Sequence, residues 1–197
     1  MKKLITMSGV VFALMALGTA VHAAKPGAYI GGGIGYSKLE NFNDATAGSG
    51  GVGGKAFVGY NFNKFFGLEA GYMQFANTKY TYKPMPVVNF TTKLGAATLL
   101  GKAYLPFQNN TVNLFASLGV AEYFSDVSVG SAYSSVKVSR TQFGQSLVAG
   151  LGASYQVSTQ VNTSLEYTYM QGHSASGSNY GIPNSNLVTL NLAYGFN

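Results

Sequence analysis

The sequence predicts an all-β protein, an eight-stranded antiparallel up-and-down transmembrane β-barrel, and three observations predict it. Only 9% of the 197 residues are charged and 47% are hydrophobic, whereas an ordinary soluble domain carries about 25% charged residues. Apolar and polar residues alternate with a period of two along many segments, which is the pattern of β-strands. The connections between these segments alternate between short and long, as in barrels that cross membranes.

The N-terminal segment has the order of a secretory signal peptide. Lys2 and Lys3 precede an apolar run, and Val21 and Ala23 supply the small residues of a cleavage site before Ala24, with cleavage one residue later as the alternative. We therefore expect a signal peptide over residues 1–23 and a barrel domain over 24–197. An uncleaved membrane anchor is the alternative, but the apolar run is shorter than the roughly 20 residues that a helical span needs.

Eight segments of the mature chain have strand character. Five alternate clearly: Ala56 to Phe62, Phe66 to Tyr72, Leu147 to Tyr155, Leu165 to Tyr169 and Val188 to Phe196. Three more are rich in Gly, Leu, Val and aromatic residues: Ala28 to Lys38, Phe90 to Leu105 and Val112 to Phe124. A soluble sandwich would alternate in the same way. The polar face here carries mainly Gly, Ser, Thr and Asn rather than charges, which favours a barrel with its apolar face outward.

The connections indicate which end of the barrel is which. The predicted tight turns are Asn61 to Lys64, Pro106 to Thr111 and Val157 to Gln160. The predicted long connections are Asn41 to Gly51, Asn77 to Asn89, Asp126 to Thr141 and Gly172 to Asn186. Outer-membrane barrels have short periplasmic turns and longer outside loops. We therefore expect four extracellular loops on one rim.

Four segments of the chain resemble a known family. The matching segments are GLEAGYMQ from Gly67, LLGKAYLPF from Leu99, FASLGVAEYF from Phe115 and AGLGASYQVSTQVNTSLEYTYM from Ala149. In order and spacing they resemble the eight-stranded outer-membrane barrels of the outer membrane protein A-like type, which include small bacterial surface antigens. The resemblance implies a location in the cell outer membrane of a Gram-negative bacterium. It also suggests that the peptidoglycan-binding domain of some members is absent, because the chain stops at Asn197.

The resemblance further implies ionic pairs inside the barrel, with Glu69 and Lys102 at two such positions. Lys55 and Glu166 also fall on the inward parity of their strands. A charge in a narrow lumen must be paired or hydrogen-bonded, so we expect one lumen charge network of these four residues. It would act either as a gate that exchanges partners or as a structural plug, and the plug is favoured. Relatives often carry a second charged pair where this chain has Ser154 and Ser164.

Catalytic and cofactor chemistry finds little support in the sequence. There is no cysteine, and the mature chain has one histidine, His173, in a Gly/Ser-rich loop without an acidic neighbour. No spacing of metal ligands is present, and no cofactor or nucleic-acid partner is expected. The chain is therefore predicted not to be an enzyme; a lipid A hydrolase at the rim, as in a few small barrels, is the third hypothesis.

The expected function is structural and interactive: adhesion, host contact or envelope integrity through the outer loops, by a protein expected to be a monomer. A narrow pore for ions or small solutes is the alternative. Five cations in the long connections and strand tops are candidate contacts for the phosphates of lipopolysaccharide: Lys79, Lys83, Lys93, Lys137 and Arg140. Scattered, solvated loop charge is the competing interpretation of the same residues.

Overall fold

The computed structural model describes residues 26–40, 50–82, 88–107, 111–131, 134–172 and 184–196; at 78–82, 88–92, 127–131 and 134–142 it describes the backbone. The strands are β1 (Gly27–Leu39), β2 (Gly51–Asn61), β3 (Phe66–Gln74), β4 (Thr78–Tyr82), β5 (Val88–Phe107), β6 (Val112–Ser131), β7 (Ser134–Gln156), β8 (Val161–Met170) and β9 (Ser185–Gly195). Within these ranges no helix is long and apolar enough to span a bilayer.

Antiparallel pairing closes the sheet into a barrel. β1 pairs with β2 on one side and with β9 on the other. β3 and β4 both pair with β5, so these two segments form one strand of the barrel, which is interrupted at 75–77. With β3 and β4 counted as one, the described segments form a closed ring of eight barrel strands. The predicted eight-stranded antiparallel barrel is confirmed.

The register fixes the tilt of the strands. We follow the paired residue from strand to strand around the barrel, starting at Tyr29 on β1. After crossing each barrel strand once, the path returns to β1 at Leu39, ten positions further along. A stagger of ten residues around eight strands corresponds to a tilt of about 40°. A barrel this narrow has an interior that side chains fill.

The outer surface carries the apolar residues that the alternation assigned to it. Leu68, Leu151 and Leu190 expose 42%, 64% and 62% of their surface. A water-soluble sandwich would bury these residues between its sheets. Their exposure fits a barrel that presents leucine to lipid and keeps its polar groups inside.

The interior differs between the two ends of the barrel. We call the end that holds the tight turns at 62–65 and 157–160 the turn end, and the opposite end the loop end. Large apolar side chains fill the half towards the loop end and are at most 2% exposed; we call this set the apolar plug: Met73, Phe75, Leu94, Leu100, Met170 and Leu187. The expectation of small hydrophilic residues throughout the lumen is wrong for this half.

At the loop end, strands replace part of the predicted irregular connections. The segment from Asp126 to Thr141 was expected to be a long loop, but β6 and β7 pair through it up to Ser131 and Ser134. β4 likewise pairs with β5 inside the predicted connection from Asn77 to Asn89. The physical reason is visible in the sequence, where valine alternates with Ser, Gly and Lys at 127–130 and 135–138. A β-branched residue at every second position favours a strand even in a Ser-rich segment.

At the turn end, side chains satisfy the backbone of two predicted turns. Asn63 Oδ1 accepts hydrogen bonds from the N–H groups of Phe65 and Phe66, at 2.8 and 2.9 Å. Ser158 Oγ accepts from the N–H of Val161 at 3.1 Å. Short polar side chains that bind nearby backbone N–H groups favour turns. The tight turn expected at 157–160 is confirmed, and the one expected at 61–64 lies one residue later, at 62–65. β5 continues to Phe107, two residues into the third predicted turn.

Candidate functional site: the charge network of the lumen

Four charged side chains meet near the middle of the lumen, each from a different strand. Lys55 lies on β2, Glu69 on β3, Lys102 on β5 and Glu166 on β8. All four are buried, with exposures between 1% and 7%. Because β2 and β8 lie on opposite sides of β1 and β9 in the ring, the network joins walls that are not neighbours.

Glu69 accepts three hydrogen bonds from side chains of the lumen. Its Oε2 accepts hydrogen bonds from Lys102 Nζ at 2.6 Å and from the Tyr29 hydroxyl at 3.1 Å. Its Oε1 accepts from Lys55 Nζ at 3.3 Å. A buried carboxylate needs such partners because it has lost its hydration. Both oxygens of Glu69 are satisfied by this chain alone.

Glu166 completes the network from the opposite wall. Its Oε2 accepts from Lys55 Nζ at 2.6 Å and lies 3.9 Å from Lys102 Nζ. Weaker contacts come from Asn191 Nδ2 to the same oxygen and from the Thr168 hydroxyl to Oε1, both at 3.5 Å. Lys55 therefore bridges the two carboxylates, whereas Lys102 has one close carboxylate partner, Glu69.

Aromatic rings surround the two ammonium groups. Lys55 Nζ lies 4.8 Å from the ring centroid of Phe57, and Lys102 Nζ lies 4.6 Å from that of Phe115. The negative faces of aromatic rings attract cations, most strongly where water is excluded. These rings add a second favourable environment for the two lysines, beside the carboxylates.

A glycine on the adjacent strand makes room for one of these rings. A Cβ atom added at Gly31 would lie 2.5 Å from Cζ of Phe57 and 2.6 Å from the carbonyl oxygen of Leu192. Phe57 therefore lies across a residue that has no side chain, which lets the ring approach the β1 backbone. This close approach is one physical reason for glycine in the first strand.

The arrangement has the properties of a fixed crosslink. Two lysines and two glutamates give a formal charge of zero. At the positions where the family resemblance implies another charged pair, Ser154 and Ser164 are paired across β7 and β8, and Ser164 Oγ accepts from Asn191 Nδ2 at 3.2 Å. These neutral residues offer no second carboxylate to the lysines. Among the described side chains, no further charged group forms an ion pair with these four.

The lumen continues from the network towards the turn end as a cavity of about 110 Å³, which we call the vestibule. Its inner end is formed by Glu69 and Lys102, and its walls include Tyr29, Tyr104 and Asn113. The exposed residues Ser158, Thr159 and Gln160 lie at its rim. The vestibule is therefore open at the turn end and ends at the lumen charge network.

The other predicted site residues that the structure describes lie away from the network. Lys93 is exposed on β5, where its backbone pairs with Asp126 of β6. The backbones of Lys79, Lys137 and Arg140 lie on β4 and β7 near the loop end. Lys83 and His173 lie outside the described residues. In the described part of the chain, no three His, Cys, Asp or Glu side chains are grouped as metal ligands would be.

Sequence reasoning missed three partners of the network. The Tyr29 hydroxyl, the Asn191 amide and the Phe57 ring all contact its members. Inward parity could have indicated Phe57 and Asn191, because both alternate with outward residues in clear strands. Tyr29 gave no such signal, because the first strand has glycine on both faces.

Known proteins resemble this chain in sequence. The model of the OmpA-like transmembrane domain matches residues 23–197. The chain belongs to this OmpA-like family. An uncharacterized protein of Coxiella burnetii is 27% identical over 188 aligned residues, which cover 82% of this chain and 75% of that protein. Outer membrane protein A of Serratia marcescens is 24% identical over 74% of this chain, but the match covers only 39% of that protein.

The fold of the OmpA-like chain is shared with solved barrels. Neisserial surface protein A has a TM-score of 0.64 and 16% identity over 86% of this chain and 97% of its own. The predicted outer-membrane location is confirmed by the family and these relatives. In outer-membrane barrels the short turns face the periplasm, which predicts that the turn end, with its vestibule, is the periplasmic end.

Proposed function

We propose that this OmpA-like chain is a sealed, non-catalytic barrel that holds its outer strands and connections in place for contact with the cell surface or a host. The observation that carries the proposal is the apolar plug, whose members are at most 2% exposed. A rigid scaffold that positions irregular segments is a common basis of binding by loops. In this proposal the lumen charge network is structural: together with the apolar plug it fills the lumen, and it does not act as a gate.

The narrow pore is less well supported for the same reason. An ion needs a continuous polar or hydrated path, and transfer of an unpaired charge into an apolar region is costly. Here the path from the vestibule would cross the paired charges and then Met73, Leu100 and Leu187. A gate that exchanges partners would also need a second charged group, and serine stands at the two positions where the family resemblance implies one.

Single-channel recording in planar bilayers tests the sealed lumen. We expect no current steps from the folded mature protein at an ionic strength where a general porin gives clear steps. A matched variant replaces plug residues by small polar ones, Leu100→Ser together with Met170→Ser, and should introduce current if it still folds. Regular steps from the unmodified protein would contradict the proposal.

The absence of catalysis is also part of the proposal. The only histidine expected in the mature chain, His173, and the nearby Ser174, Ser176 and Ser178 lie outside the described residues. An activated serine needs a base held by a third group, and the sequence offers no acidic residue in that loop. If lipid A or peptide substrates are hydrolysed by the protein and not by His173→Ala, this part of the proposal is wrong.

We also propose that five basic residues of the predicted long connections and strand tops bind lipopolysaccharide phosphates: Lys79, Lys83, Lys93, Lys137 and Arg140. Charge-assisted hydrogen bonds to phosphate are stronger than neutral ones, and the exposed side chain of Lys93 supports the idea. Changing all five to Gln should lower the melting temperature in micelles that contain lipopolysaccharide but not in plain detergent. Lys64→Gln, in a turn at the other end, is the control. An unchanged melting temperature in both media would refute the contact.

The processing of the chain remains a prediction. Residues 1–23 lie outside the described residues, and a signal peptide cleaved before Ala24 is the proposal. N-terminal sequencing of the protein from outer membranes should begin at Ala24. A first residue well before Ala24 would contradict the proposed cleavage.

Sedimentation of the protein in detergent should give a monomer. A stable dimer would contradict the expected monomeric state.

A further inference from the structure

The vestibule has the dimensions of a binding site for a small molecule. Its volume of about 110 Å³ accommodates several water molecules or one small solute. The apolar plug and the lumen charge network close it towards the outside, so a solute would enter from the turn end. Among the described residues, none leaves a path by which a solute could reach the vestibule from the loop end.

One buried polar atom in its wall calls for a hydrogen-bond donor. Asn113 is 2% exposed and lines the vestibule, and within the described part of the molecule its Oδ1 accepts no hydrogen bond. A buried acceptor without a partner is unfavourable because it has lost its hydrogen bonds to water, so a group that donates to it is stabilised. The occupant must therefore carry at least one O–H or N–H.

The charge of the vestibule argues against an ionic occupant. Glu69 and Lys102 form its inner end together, with their charged atoms 2.6 Å apart. An anion would be attracted by the ammonium of Lys102 and repelled by the carboxylate of Glu69. A cation would be attracted by Glu69 and repelled by Lys102. Lys102 has three N–H groups and gives one of them to Glu69, so it can also donate to a neutral oxygen.

The remaining walls are suited to a molecule with both hydroxyl groups and C–H faces. The rings of Phe57, Phe115 and Tyr104 line the cavity beside Ser154. The rings of Tyr104 and Phe115 contact each other, with centroids 6.0 Å apart. Ligand sites combine such apolar surfaces with a few polar groups that fix orientation.

From this geometry we propose that the vestibule binds one small, uncharged, hydroxyl-bearing solute of the polyol class from the periplasm. A hydroxyl donates to Asn113 Oδ1, another oxygen accepts from Lys102, and the carbon chain packs against the aromatic rings. The proposal is independent of what the outer strands and loops contact, since the two sites lie at opposite ends of the barrel.

The test is a titration of the folded, isotope-labelled protein in micelles with erythritol, followed by NMR. Acetate and methylammonium are the anionic and cationic comparison probes. We expect saturable shifts at the side-chain amide of Asn113 with erythritol alone, and nuclear Overhauser contacts from the polyol C–H groups to the Phe115 ring. Linear shifts spread over the whole protein would indicate a general solvent effect and would overturn the proposal.

Two substitutions separate the site from general stability. Asn113→Leu removes the acceptor and should weaken erythritol binding about tenfold, which corresponds to one lost hydrogen bond. Thr189→Val is the matched control, because Thr189 Oγ1 is also a buried oxygen without a partner but does not line the vestibule. Equal affinity in Asn113→Leu and the unmodified protein would overturn the proposal. If Asn113→Leu does not fold, the contacts to Phe115 decide the question in the unmodified protein.

Discussion

Glu69→Gln should be among the most destabilising single changes in the barrel. It removes one negative charge and leaves Lys102 buried, with its nearest remaining carboxylate 3.9 Å away. Lys55 is less affected, because it keeps Glu166 at 2.6 Å. Breaking a buried ion pair by removing one partner typically costs about 3–5 kcal/mol. We expect a loss in this range, since Glu69 also accepts a hydrogen bond from Tyr29.

A double-mutant cycle isolates the charge from the packing. Lys102→Met removes the orphaned ammonium and retains a chain of similar length between the rings of Phe57 and Phe115. In the Glu69→Gln background it should restore part of the lost stability, with a coupling free energy of about 2 kcal/mol. Lys93→Met, at an exposed position, is the control and should change stability by less than about 0.5 kcal/mol.

The assay is urea unfolding of the protein folded in lipid vesicles, followed by far-ultraviolet circular dichroism and by the heat-dependent shift in gel mobility. Linear extrapolation of the unfolding free energy gives the values to compare. A loss below about 1 kcal/mol for Glu69→Gln, or strictly additive effects of Glu69→Gln and Lys102→Met, would refute the view that the network is a buried crosslink.

Two further predictions use the same unfolding assay. Gly31→Ala should lower the free energy of unfolding by about 1–3 kcal/mol, because its Cβ would crowd Phe57. Gly101→Ala is the control and should be nearly neutral, because the nearest atom to its Cβ would be 3.7 Å away. Equal effects of the two changes would contradict the prediction that the Gly31 contact is costly. Leu190→Arg, midway along β9, should cost about 2–4 kcal/mol, and Tyr194→Arg near the strand end about 0–1 kcal/mol. A smaller loss for Leu190→Arg than for Tyr194→Arg would contradict the placement of β9 in the bilayer.

The alternation of residue types predicted the barrel because each strand has to serve two environments. Along β9 every second residue faces outward, and Leu190 and Leu192 are exposed while Asn191 is 2% exposed. The same parity put Lys55 and Glu166 in the lumen. The sequence could not give their distances, because these depend on the stagger of strands that are far apart along the chain.

The vestibule and the plug were not predicted, for a related reason. Leu94 and Leu100 lie on β5, whose Gly- and Ala-rich sequence shows no clear alternation, so their inward direction was hidden. The ends of the long β6–β7 hairpin were also missed, because Ser and Gly near 128–135 favour irregular structure when only composition is considered. The pairing of valines on facing strands, such as Val129 with Val138, depends on register.

The central claim is that the apolar parity of each strand faces lipid while the opposite parity faces a filled lumen. The most direct measurement is a spin-label scan along β9, with one cysteine at a time from Leu187 to Leu192, in a chain that has no native cysteine. Labels at 188, 190 and 192 should collide readily with oxygen dissolved in the bilayer, and labels at 187, 189 and 191 should be shielded. Uniform shielding, or a pattern without a period of two, would contradict the claim.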